Sequence, residues 1–259
     1  MISFINDHKT GFVLSTKIAA YLNQKAYSNI YGEAVRINLR TYFRFCWLFS
    51  FENKYVVFIR HPYEIITSGY NYHKVCQEDW ATKIGVGFYD WWHQNPNKYF
   101  GTDGDLSYRP PELIHSPVLS RDGKSYQEIL NSIPIEEGLK YELDNVGKLT
   151  IMGMYKYPWY NKANVLTVRM EDFTLDFSKT IHSIISFLNI SHSPDHEAIK
   201  GLESLNLKKQ SISDRLSDDH VTNKSQDGFM YKKMWSPELY EYAKRHFPED
   251  LLSKFGYTA

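Results

Sequence analysis

A short apolar run, Ile2-Ser3-Phe4-Ile5, leads through His8-Lys9-Thr10-Gly11 into an amphipathic stretch from Phe12 to Leu22. This order predicts a strand, a tight turn carrying a lysine, and the start of a helix. Such a turn aims backbone N–H groups and the positive end of the helix dipole at one place, and Lys9 adds a full charge. The place suits a phosphate or a similar anion. The nucleoside-triphosphate P-loop, G-x-x-x-x-G-K-[ST], carries its lysine after the second glycine. Here the lysine comes first and no upstream glycine has the required spacing, so a Walker-type ATPase or GTPase is a poor match.

A second segment bears on the same region. Tyr55-Val56-Val57-Phe58-Ile59 is apolar without alternation and predicts a buried parallel strand, with Arg60 at its carboxyl end and Pro62 opening a helix that contains Ser68. Open α/β sheets bind ligands outside the carboxyl ends of their strands, so Arg60 and Ser68 can converge on the region marked by Lys9. A lysine-before-glycine turn, followed by an arginine and a serine separated as Arg60 and Ser68 are, resembles the sulfotransferases. That family uses 3′-phosphoadenosine-5′-phosphosulfate (PAPS) as donor. Asn164 to Phe173 followed by Phe177 to Leu188 is similar to the family's strand, acidic turn and packing helix. The tail, from Lys224 through Tyr231-Lys232-Lys233 and Trp235-Ser236-Pro237-Glu238 to Phe255-Gly256-Tyr257, resembles its cofactor-closing loop and terminal helices.

The resemblance implies an α/β fold, a central parallel sheet flanked by helices in the P-loop-like sulfotransferase arrangement. It also implies in-line transfer of a sulfuryl group from PAPS to an acceptor hydroxyl of a small molecule, glycan or lipid, leaving the 3′,5′-bisphosphate product PAP. In that reading Lys9 stabilises the leaving oxygen. Lys9, Thr10, Gly11, Phe12, Val13, Leu14 and Ser15 surround the 5′ side, and Arg60, Ser68 and Lys224 hold the 3′-phosphate. The chain departs from the family in placing Phe12 and Val13 where hydroxyl residues usually follow the glycine, so Ser15 or Thr16 must supply any side-chain donor. No histidine lies between Lys9 and Arg60. Some carbohydrate-directed members of the family use a glutamate soon after the first helix, and the resemblance implies that role for Glu33, after the expected strand Tyr27–Tyr31 and Gly32, as general base, with His73 and His115 behind it. Each residue also has a plainer reading: a solvated Lys9 or Lys224, an Arg60 that closes a strand end, a Ser68 that packs a helix, a Glu33 that caps.

Composition fits one large domain. The 259 residues are 42% hydrophobic and 16% aromatic, enough for a single core, and no linker or repeat divides residues 1–259. An irregular aromatic-rich insertion of about 80–124, punctuated by Pro96, Gly101, Gly104, Pro110, Pro111 and Pro117, is either an acceptor-binding lid or a surface loop. Its Trp91-Trp92-His93, with Trp159-Tyr160 beyond it, can stack on an acceptor or pack a core rim. Thirty basic and thirty acidic residues leave no broad footprint for nucleic acid. Two cysteines, Cys46 and Cys76, point to a reduced compartment, and the lack of a basic leader or a membrane-length apolar run points to the cytoplasm. No metal-binding pattern is present, and nothing sets the oligomeric state. A second strand is expected near Tyr27–Tyr31 and helices at Ser125–Leu130, Ile135–Leu143, after Asp176 and from Ser236. Two other functions share the anion site: a nucleotide or small-molecule kinase, which requires ATP and magnesium, and a non-catalytic PAP-binding interaction protein, which requires no base.

Overall fold

A computed structural model describes residues 2–24, 37–41, 51–88, 117–157, 160–189, 199–211 and 229–258. The chain divides into two compact units, each built from two stretches: Met1–Arg60 with Lys156–Asp218, and His61–Tyr155 with Asp219–Ala259.

The first unit holds the sheet. Its strands are β1 (Ile2–Asn6), β2 (Ile37–Thr41), β3 (Lys54–Ile59) and β4 (Val165–Arg169), all parallel, in the order β2-β1-β3-β4. Because β2 lies on one side of β1 and β3 on the other, the carboxyl ends of β1 and β3 flank a topological switch point. Phe4 and Ile5 of β1 and all of Tyr55 to Ile59 are buried, which is why neither strand alternates in sequence. Phe4, Val56, Phe58 and Val168 share one face and pack against helix α1 (Phe12–Gln24) through Ile18, Ala19 and Leu22. The helix Phe177–Leu188 covers the same core with Phe177, Ile181, Ile184, Ile185 and Leu188, the face its periodicity predicts. Asp176 caps its start by accepting from the Lys179 amide at 3.0 Å, and Asn189 ends it at φ 57°. The fold is α/β with a parallel sheet flanked by helices, as expected.

Three expectations fare differently. The strand expected near Tyr27–Tyr31 lies outside the described residues, and the strand that pairs with β1 is Ile37–Thr41. The acidic turn after β4 is a short helix, Met170–Leu175. Residues 89–116 of the insertion, with Trp91, Trp92, His93 and His115, lie outside the described residues, as does Cys46.

The second unit is helical. Pro62 occupies the first turn of helix α2 (Pro62–His73), and His61 caps it, its Nδ1 accepting from the Tyr63 amide at 3.2 Å. Ser125 and Glu128 form a capping box at the helix Tyr126–Ser132. The helix Ile135–Glu142 continues through a π turn, Leu143–Gly147, into Lys148–Lys156. Ser236 caps the helix Pro237–His246 by accepting from the Leu239 amide at 3.2 Å. Among the described residues no helix is long and apolar enough to cross a membrane.

Candidate functional site

The turn after β1 is held by its own residues. Thr10 Oγ1 donates to the Asp7 carbonyl at 2.9 Å and accepts from the Asp7 amide at 2.7 Å, while the Thr10 amide donates to the same carbonyl at 3.1 Å. This closure puts Lys9 at φ 61° and Gly11 at φ 103°. A side chain at Gly11 would be strained by that φ and would overlap the Met170 sulfur, so glycine is required there on both counts. α1 begins at Phe12 with no acidic residue in its first turn. The helix itself offers no acceptor to its first amides, including those of Val13 and Leu14.

Ser15 and Thr16 do not take up the role suggested for their hydroxyls. Ser15 Oγ is buried, accepts from Asn6 Nδ2 at 2.7 Å and donates to the Phe12 carbonyl at 2.9 Å; Thr16 Oγ1 donates to the same carbonyl at 2.7 Å. The Ser15 amide donates to the Gly11 carbonyl at 2.8 Å. Thr10 and Ser15 thus build the turn.

Arg60 follows β3 directly, and its Nη1 donates to the Lys9 carbonyl at 3.3 Å. The two cationic residues that the sequence singles out therefore meet at the carboxyl ends of neighbouring parallel strands. Asp7, two residues before Lys9, is 8% exposed, its Oδ1 accepting from the His8 amide at 2.7 Å. Burial pushes its pKa up to about 7, against the smaller opposing effect of that hydrogen bond.

In the second unit Ser68 is 1% exposed on α2, between two fastened neighbours. Thr67 Oγ1 accepts from Trp235 Nε1 at 2.9 Å, and Gly69 lies against Glu142 Oε1, where a side chain would overlap that oxygen. His73 is 0% exposed, its Nδ1 2.8 Å from Glu142 Oε2, which also accepts from Tyr126 OH at 2.8 Å. Burial first, and Glu142 second, drive the Tyr126 phenol well above its ordinary pKa. His73 is an interior residue, turned to Glu142 rather than outward. Glu33 and Lys224 lie outside the described residues. Sequence reasoning missed Asp7 and Glu142. For Glu142 a signal existed, since it follows Leu139 by three positions on the buried side of its helix.

No protein-family model matches the chain, and no curated protein does either. Among solved structures, a mouse sulfotransferase, SULT7A1, complexed with PAP is similar over 98% of this chain and 82% of its own, with 14% identity and a TM-score of 0.45. That likeness assigns no role to any residue of this chain.

Proposed function

We propose that the chain is a PAPS-dependent sulfotransferase, acting as one domain over residues 1–259. The observation that carries this reading is the 3.3 Å hydrogen bond from Arg60 to the Lys9 carbonyl, which joins the two anion-binding motifs at the switch point of the sheet. The turn suits a doubly phosphorylated donor: a glycine whose φ closes the turn ahead of the helix, a helix start without carboxylates, and two half-buried cations.

PAPS supplies an activated sulfuryl group; the chain's residues position it and balance charge. The first-turn amides of Phe12, Val13 and Leu14 hold the 5′-phosphate. Lys9 offsets the negative charge that develops on the oxygen bridging to that phosphate as the sulfuryl group leaves. Arg60 grips the 3′-phosphate with its planar fork, assisted by Ser68 and Lys224. Glu33 accepts the proton of the acceptor hydroxyl, on a small molecule, glycan or lipid. His73 is reassigned from base to fastener of the helix that carries Ser68.

Thermal-shift titrations with PAP, ATP, and ATP with magnesium test this directly. PAP alone should raise the melting temperature strongly. A larger shift with ATP and magnesium would instead favour a kinase, and PAP binding without turnover on any hydroxyl acceptor would favour an interaction protein.

A further inference from the structure

Asp7 is a buried carboxylate two residues from Lys9, and it forms no ion pair among the described residues. Among the described residues its one side-chain hydrogen bond comes from the neighbouring His8 amide. Among the described residues, the charged and titratable groups on the elements that meet the turn are His8 and Lys9 within it, Arg60 after β3, the exposed Lys17 of α1, and Arg169, Glu171 and Asp172 around Met170. Arg60 is directed to the Lys9 carbonyl and Arg169 Nε to Asp172 at 3.5 Å.

A carboxylate so placed faces two costs when an anion settles on the turn: poor solvation, and repulsion from the incoming charge. Both are relieved by one proton. We infer that Asp7 is the proton-linked member of the anion site: an oxyanion binds the Lys9 turn together with one proton, and the Asp7 carboxylate becomes the carboxylic acid. This rests on the reading of the turn as an anion site. Because the acid already titrates at about 7 without ligand, the proton uptake falls in the neutral range. Anion affinity then declines as pH rises through neutrality, where a site of lysine and arginine alone would hold it constant.

Sulfate is the discriminating probe, since its own charge is unchanged over this range, and PAP is the companion probe for the nucleotide. Affinities of both for the whole chain and for Asp7→Asn are measured by thermal shift from pH 6 to 8.5. Asparagine keeps the oxygen that accepts from His8 and mimics the protonated acid. Between pH 7 and 8.5 the unaltered chain should lose roughly tenfold more sulfate affinity than Asp7→Asn, the slope of one linked proton. Parallel profiles would overturn the role of Asp7 whatever PAP does. A proton-linked sulfate site that ignores PAP would overturn the nucleotide reading and keep this one; a chain that binds neither would overturn both. Should Asp7→Asn not fold, carbon NMR of the unaltered chain with labelled aspartate decides. One carboxyl titrating near neutrality, with a midpoint that rises on adding sulfate, supports the inference, and the absence of such a carboxyl refutes it.

Discussion

Asp7 and Glu142 are both buried acids, and they differ in where their hydrogen-bond donors come from. Glu142, 1% exposed, takes its partners from two other helices, Tyr126 at one oxygen and His73 at the same oxygen, while its second oxygen lies against Gly69. Among the described residues Asp7 has only the amide of the next residue, in a turn that carries a lysine. An acid tied to several distant elements fastens a core; an acid with one local donor keeps its charge as an unresolved cost that a ligand or a proton can change. The difference separates a structural site from a chemical one within the same chain.

The largest effect belongs to the fastener. Glu142→Ala leaves His73 and Tyr126 buried without their acceptor, which costs about 3–5 kcal/mol and lowers the melting temperature by roughly 10 °C. A melting temperature unchanged by that substitution breaks the comparison. Next comes Lys9→Ala, which should reduce PAPS-dependent turnover by about 10²–10³-fold while melting stays near that of the parent chain, because alanine meets the same positive φ.

Asp7→Asn should do the opposite of Glu142→Ala and stabilise the protein, in a pH-dependent way. The unfolded chain releases the Asp7 proton near pH 4, whereas the folded chain holds it to about 7. Between those values the folded state binds more protons, so its stability falls as pH rises and stays low above 7. The gain from asparagine is therefore small near pH 4 and about 4 kcal/mol at pH 8, read by denaturant unfolding at the two pH values. Equal stability of the two chains at pH 8 would mean that Asp7 carries no such cost. Smallest is Arg60→Lys, which keeps the charge and loses the planar fork; PAP affinity should drop about tenfold, seen by calorimetry.

The same contrast explains what the sequence reveals. The Lys9 turn is legible because its bonds are local: Asp7 to Thr10, Asn6 to Ser15, and a glycine whose φ no other residue fits. β3, Arg60 and Pro62 are legible because an unalternating apolar run, a charge and a helix-starting proline are contiguous. The His73 cluster is not, since its acceptor lies 69 positions away and burial leaves no mark on a lone histidine. Ser15 and Thr16 mislead for a different reason. A hydroxyl in a first helical turn fits a ligand donor or a bond to the helix's own carbonyls equally well, and packing decides. β2 escapes because Ile37 and Leu39 are a short alternation, weaker than the aromatic run at Tyr27–Tyr31 before it.

The central claim is that Lys9 and Arg60 act on one bound nucleotide. A double-mutant cycle tests it most directly: PAP affinity measured by calorimetry for the unaltered chain, Lys9→Ala, Arg60→Ala and the pair together. The account predicts PAP binding, at least a tenfold loss for each single change, and a double variant whose loss departs from the sum because the two share a ligand and a hydrogen bond. No PAP binding by the unaltered chain, or single variants that bind PAP as well as it does, would contradict the account.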